Sequence, residues 1–229
     1  MKKKLVVLTG AGMSAESGIK TFRDSDGLWE NHDVMEVASI DGWRKNPQLV
    51  MEFYNQRRKQ LFEVVPNAGH IGLAELEQDF DVHIITQNVD DLHERAGSTN
   101  IIHLHGELKK VRSIMDEELV YTLDGWELKM GDTAEDGAQL RPHIVWFGEE
   151  VPMMENAAVI TYGADILVVI GTSLQVYPAA GLMHYAPAHI PKFLIDPKGE
   201  PVNGVKNLTV LNKTATEGVA ELKILLSEL

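Results

Sequence analysis

Three features of this 229-residue chain predict an α/β fold: a doubly wound parallel sheet with a smaller inserted lobe. Short continuous apolar runs recur along it. Helical patterns lie between the runs. A glycine-rich turn directly follows the first of them.

Residues 5–8, 82–86, 166–170 and 193–195 read as buried parallel strands, and 208–211 is a fifth candidate. Strands covered on both faces appear as unbroken β-branched runs rather than as alternations. Between them, residues 47–64 place Leu49, Val50, Phe53, Tyr54 and Leu61 at helical spacing with charges elsewhere, and residues 68–76 and 217–226 behave alike. Alternating strands and helices imply a doubly wound sheet. Two stretches interrupt the alternation. Residues 24–65 hold no convincing strand and read as helical, and residues 109–140 are charged and irregular. Both are expected to form the smaller lobe, leaving 1–23, 66–108 and 141–229 as the larger one, within a single domain.

The formal net charge of −13 argues against non-specific nucleic-acid binding, which needs lysine and arginine to neutralise phosphates. An acidic surface either attracts lysine-rich protein segments or simply keeps the chain soluble. The chain has no cysteine, which excludes disulfides and thiolate metal sites. Lys2, Lys3 and Lys4 resemble the start of a signal peptide, but the apolar run behind them is too short. No stretch reaches the length of a membrane span. The expectation is a cytoplasmic protein without membrane partners.

Behind the first strand comes Gly10-Ala11-Gly12-Met13-Ser14-Ala15, a G-x-G-x-x-A turn expected to open a helix. Such glycines let backbone N–H groups approach a pyrophosphate, which a helix N-terminus then favours. A packing turn is the competing reading. A dehydrogenase would continue to a second strand and a ribose-binding acid about 20 residues on. Here the chain runs through Ser17-Gly18-Ile19-Lys20 into the helical segment, against hydride transfer. Three more strands end in polar or glycine clusters: Thr86-Gln87-Asn88-Val89-Asp90, Gly171-Thr172-Ser173 and Asp196-Pro197. Ligands bind beyond such strand ends, although helix capping also explains one cluster at a time. In His103-Leu104-His105-Gly106 the two histidines share a face of an extended segment. A metal pair, structural histidines and a general base all remain open for them.

Taken together, these segments resemble the sirtuins, the NAD-dependent protein deacylases. The match runs from Gly10-Ala11-Gly12-Met13-Ser14-Ala15-Glu16-Ser17-Gly18-Ile19 with Thr21-Phe22-Arg23, through Gln87-Asn88-Val89-Asp90 and His105-Gly106, to Arg141-Pro142-His143-Ile144-Val145-Trp146-Phe147-Gly148-Glu149. It ends at Gly171-Thr172-Ser173-Leu174 with Val176 and Pro178. The resemblance implies a Rossmann-like large lobe, and a small lobe made of a helical module and a zinc-ribbon module. It implies that Gly10, Ala11, Gly12 and Ala15 cradle the NAD phosphates, with Phe22, Arg23 and Trp29 on the cofactor side of the mobile loop. Gln87, Asn88 and Asp90 would line the nicotinamide pocket and ribose. Gly171, Thr172, Ser173, Asp196 and Ala215 would hold the rest of the cofactor.

In this family the acyl oxygen attacks the ribose carbon as nicotinamide leaves, and a histidine then takes a proton from a ribose hydroxyl. His105 would be that base, with Asn88 beside it, and an imidazole suits the task near neutral pH. The products would be deacylated lysine, nicotinamide and O-acyl-ADP-ribose. Val145 and Phe147 would wall the lysine tunnel. The backbone at Gly148 and Val176 would pair with an extended acyl-lysine peptide or protein.

Tyr54 and Arg57 lie three apart on the expected helix and match the Y-x-x-R of sirtuins that remove succinyl and malonyl groups. There they bind the distal carboxylate, for which a planar guanidinium and a phenol are suited. Ala38 matches that class's small residue. An ordinary surface salt bridge is the alternative for the pair.

The chain departs from the family at the zinc cysteines, whose places fall near Ser113, Asp116, Asp132 and Asp136. Oxygen ligands alone suit zinc poorly, so no structural zinc is expected. The insert would rely instead on packing by Met115, Leu119, Tyr121, Leu123, Trp126 and Leu128. The expected activity is removal of succinyl and malonyl, and also acetyl, groups from lysine. A plain deacetylase, an ADP-ribosyltransferase and a non-catalytic NAD sensor are the alternatives.

Overall fold

The computed structural model describes residues 1–20, the backbone of 28–29, and residues 32–172 and 174–228. Six parallel strands form the main sheet: β1 (Lys4–Thr9), β4 (Asp81–Thr86), β5 (Ile101–His103), β9 (Ile166–Ile170), β10 (Lys192–Ile195) and β11 (Leu208–Leu211). Their spatial order is β11-β10-β9-β1-β4-β5. β1 therefore sits between β9 and β4, in register Leu5↔Ile166 and Leu5↔Val82. The chain turns to opposite sides of β1, and such a switch point opens a crevice at the carboxyl ends of the strands.

Both faces of this sheet are covered, as the continuous apolar runs require. Leu5 and Val7 join Ile166, Val168 and Ile170 under α4 (Ala68–Glu75) and α7 (Ala215–Ser227). Val6 and Leu8 join Leu167 and Val169 on the other face, under α6 (Met154–Tyr162) and the 3-10 segment Ala179–Tyr185. The period-two alternation of Cβ direction sorts one run between two cores.

Residues 34–61 are helical: α1 (Val34–Val37), α2 (Ile40–Lys45) and α3 (Pro47–Leu61). Asn46 caps α3 through Leu49 N, with Pro47 at the first turn where its missing N–H costs nothing. The expectation of no strand in 24–65 is corrected by the two-residue antiparallel pair β2 (Leu28–Trp29) and β3 (His32–Asp33). The irregular reading of 109–140 is corrected too. β6 (Gly106–Ser113), β7 (Val120–Thr122) and β8 (Leu140–Ile144) make a three-stranded antiparallel sheet.

Leu128 is buried there against Met51 and Val111, with Tyr121 and Leu123 partly buried beside it. Met115 and Trp126 instead lie exposed. Polar contacts take much of the load in this insert. Ser113 Oγ donates to Asp136 Oδ2 at 2.6 Å and accepts from the N–H groups of Met115 and Asp116. Asp132 Oδ2 accepts from Lys129 N. Two of the four positions where thiolates would stand are thus joined directly to each other.

Candidate active site

Four strands of the main sheet release polar or glycine residues into the crevice: Gly10 after β1, Gln87 after β4, Gly171 after β9 and Asp196 after β10. These line one cavity of about 720 Å³, a size typical of small-molecule and cofactor sites. Every described residue of the set named from sequence lines it. On the strand-end side these are Gly10, Ala11, Gly12, Ala15, Gln87, Asn88, Asp90, His105, Gly171, Thr172, Asp196 and Ala215. On the other side are Ala38, Tyr54, Arg57, Val145, Phe147, Gly148 and Val176. Phe22, Arg23, Ser173 and the Trp29 side chain fall outside the described residues.

The glycine loop differs from expectation in one respect. Residues 11–17 form two short 3-10 turns, Ala11–Met13 and Ala15–Ser17, and no α-helix starts there. The loop is held from outside: Asn67, the cap of α4, donates from Nδ2 to Met13 O and Ser17 Oγ. Gly12 N donates to Gly171 O at 2.8 Å. A Cβ on Gly12 would lie 2.6 Å from Gly171 Cα, and one on Gly10 would lie 2.7 Å from Thr172 Cβ. These glycines are required first by the close approach of two loops. Backbone, not a helix dipole, faces the cavity at this point.

Below the loop runs a buried polar network. Asn88 Nδ2 donates to Ser14 Oγ at 3.1 Å, and Ser14 donates to Asp90 Oδ2 at 2.9 Å. Burial raises the Asp90 carboxyl to about 6, against which the Ser14 and Leu92 N hydrogen bonds work. His70 takes Asn67 N on Nδ1, so its proton is on Nε2, facing Ser14 Oγ at 3.5 Å. Burial lowers His70 to about 4 and holds His93 well below its ordinary value. The two rings meet edge to face at 4.8 Å. Ser14, His70 and His93 were not singled out from sequence; the pairing of Asn67 with His70 three residues on is the one local sign, a capping box.

The two histidines of the 103–105 segment part company. His105 Nδ1 donates to Gln87 O at 3.2 Å, and burial holds its pKa below the usual value. A carbonyl only accepts, so the ring proton sits on Nδ1 and Nε2 carries the lone pair. His103 Nδ1 donates to Asn88 O at 3.0 Å, while Nε2 meets Glu94 Oε1 at 2.7 Å. Burial pulls His103 down, but the hydrogen bond and charge of Glu94, with the Asn88 carbonyl and the Glu107 charge, together outweigh this and raise it. Glu94, His103 and Glu107 are the one group of three potential metal ligands gathered among the described residues. The short contact within it is that of a charged hydrogen-bonded pair.

The segment behind β8 runs beside His105, with Val145 N donating to His105 O at 2.9 Å. Phe147 N donates to Ala38 O at 2.9 Å, and Ile40 N to Phe147 O at 3.2 Å, so this segment is stitched to α1 and α2. Tyr54 and Arg57 reach the same cavity from α3. Tyr54 is fully buried, which removes the surface-residue alternative for it, and Arg57 lies over the Phe53 ring at 5.4 Å. Arg58 turns the other way. It is fully buried and donates to Leu108 O, Asn55 Oδ1 and Trp126 O, tying α3 to the inserted sheet.

Known proteins match this arrangement along the whole chain. The Sir2 family model matches residues 10–178. An NAD-dependent protein deacylase of Helicobacter pylori (strain ATCC 700392 / 26695) is 58% identical over 222 residues, covering 96% of each chain. One of Bacteroides thetaiotaomicron is 58% identical over 229 residues, covering 98% of each. A crystal structure of a Sir2 homologue in complex with NAD superposes with a TM-score of 0.87 at 38% identity, spanning 99% of this chain and 90% of that one. A structure of Sir2 bound to acetylated peptide superposes at 0.80 with 27% identity, spanning 99% and 94%. From its first glycine loop to its last strands, this chain belongs to the Sir2 family.

Proposed function

We propose that this chain is an NAD-dependent protein deacylase that prefers acidic acyl groups, succinyl and malonyl, on lysine, and also accepts acetyl. The general activity is supported by relatives of 58% identity that carry that description, and by the likeness to a Sir2 homologue with NAD. The acyl preference rests on one observation. Tyr54 and Arg57, one helical turn apart, line the same cavity as His105 and the small Ala38.

The cavity suits the cofactor. Bare backbone at Gly10, Gly12 and Gly171 faces it, and Gln87, Asn88, Asp90, Thr172 and Asp196 supply donors and acceptors for ribose hydroxyls and an amide. When bound, NAD would supply an electrophilic ribosyl carbon with nicotinamide as its leaving group. The chain's own groups orient and move protons. Gln87 O fixes the His105 tautomer, so Nε2 is the atom that takes a proton from a ribose hydroxyl. Ser14 holds the Asn88 amide, with Asp90 buried behind it. Val145 and Phe147 wall the lysine stem and help exclude water.

A succinyl or malonyl chain carries a carboxylate beyond the amide. Arg57 offers a permanent charge and planar donors, and Tyr54 a hydroxyl, in a site where desolvation strengthens both. An acetyl group reaches neither.

Steady-state kinetics of Arg57→Met and Tyr54→Phe on succinyl-lysine and acetyl-lysine peptides test this reading. Both variants should lose succinyl removal mainly through KM and retain acetyl removal. Equal losses on the two peptides would remove the acidic-acyl preference and leave the deacylase.

A further inference from the structure

Trp146 stands between Val145 and Phe147 and lines the same cavity. Its indole Nε1 donates to the Tyr54 hydroxyl at 3.0 Å, with both residues buried. We propose that Trp146 is a specificity-positioning residue: by donating to the Tyr54 oxygen, it fixes the phenol as a hydrogen-bond donor toward an acidic acyl group. This rests on the acyl preference proposed above.

Donors and acceptors decide the polarity of the Tyr54 hydroxyl. A phenol hydroxyl lies near the ring plane and has two preferred orientations. An N–H pointing at its oxygen excludes the orientation that would bring two protons together. The Tyr54 proton is then directed away from Trp146, and what Tyr54 offers is a donor. A carboxylate is acceptor-only, so this is the polarity it requires. An acetyl group presents no acceptor at that depth.

Trp146 is itself held on several sides. The Arg141 guanidinium lies 3.5 Å from its ring centroid, and the Trp43 ring packs at 5.4 Å. Its backbone N donates to Glu149 Oε2 at 2.9 Å. Glu149 in turn accepts two hydrogen bonds from Arg141, at 2.6 and 3.0 Å. The ring is clamped by this charged pair. A cation against an indole face also draws density from the ring and strengthens its N–H as a donor. Burial holds the Tyr54 phenol well above its ordinary pKa, so it keeps its proton.

The test is the ratio of kcat/KM for succinyl-lysine over acetyl-lysine peptide in wild type, Trp146→Phe, Tyr54→Phe and the double variant. Removing one hydrogen bond in a charged chain should lower that ratio about ten- to a hundredfold in Trp146→Phe, through KM. In the Tyr54→Phe background the same substitution should change the ratio no further. A purely structural role would lower both substrates together, and a ratio within about twofold of wild type overturns the inference. A second readout serves if Trp146→Phe folds poorly. The Trp146 indole N–H resonance of wild type should shift with succinyl-lysine peptide and not with acetyl-lysine peptide, and equal shifts would overturn the inference. The underlying reading fails separately: if wild type shows no succinyl preference and Arg57→Met leaves the ratio unchanged, the acidic-acyl site itself is wrong.

Discussion

His105 Nδ1 is bonded to the main-chain oxygen of Gln87 at 3.2 Å, which leaves its other nitrogen basic and turned to chemistry. Burial holds the ring below the usual histidine pKa of about 6.5, with the Gln87 bond partly opposing it. The neutral, proton-accepting form is therefore dominant at neutral pH. The acid limb of kcat/KM should lie below pH 6.5, with a flat profile through pH 7 to 8. An apparent pKa at or above 7 for the free enzyme would contradict this assignment.

Asp90 trades stability for its place in the cavity. Its folded pKa, raised to about 6 by burial, stands above the unfolded value near 3.9. A raised carboxyl favours the fold when protonated, and that contribution is lost as pH rises through about 6. Asp90→Asn should therefore gain stability relative to wild type between about pH 3.5 and pH 7, by up to about 3 kcal/mol, with little further change above pH 7. Thermal melts across that range measure the gap. A constant gap would mean the carboxyl is not perturbed.

Adjacent arginines on α3 should behave as opposites. Arg58→Met strips donors from Leu108 O, Trp126 O and Asn55, and should cost about 2–4 kcal/mol of stability. Arg57→Met should lower the melting temperature less than Arg58→Met does and act mainly on succinyl turnover. Melting and kinetics on the same two variants check the contrast.

The inserted sheet should depend on Ser113. Ser113→Ala removes a bond to Asp136 and two to backbone N–H groups, and should cost about 1–2 kcal/mol. For a chain of this length that is a fall of about 2–4 °C per kcal/mol. A chelator should leave the melting curve where it is, because no thiolate is present to hold zinc. A chelator-induced drop would overturn the zinc-free account.

The strands of the main sheet were legible because burial on both faces makes each one a continuous apolar run. β5 was not, since Ile101–His103 is too short to carry a pattern. The antiparallel β6 reads Gly-Glu-Leu-Lys-Lys-Val-Arg-Ser, and its charges hide it: Arg112 is buried with carboxylates Glu117 and Glu149 near it rather than with apolar neighbours. The helix expected behind Gly12 failed because the glycines serve the contact with Gly171, a partner about 160 residues away that local pattern cannot reveal. Residues that line the cavity were named through a family resemblance. Ser14, His70, His93 and Trp146 act through partners distant in sequence, and only the Asn67–His70 capping box gives a local sign.

The central claim is tested most directly by one comparison: wild-type kcat/KM on matched succinyl-lysine and acetyl-lysine peptides with NAD, read by mass spectrometry, with His105→Ala as the control. The account predicts that succinyl removal exceeds acetyl removal, needs NAD and disappears in His105→Ala. Acetyl removal exceeding succinyl removal, with NAD and His105 still required, would contradict the acidic-acyl claim and leave a deacetylase of the same family.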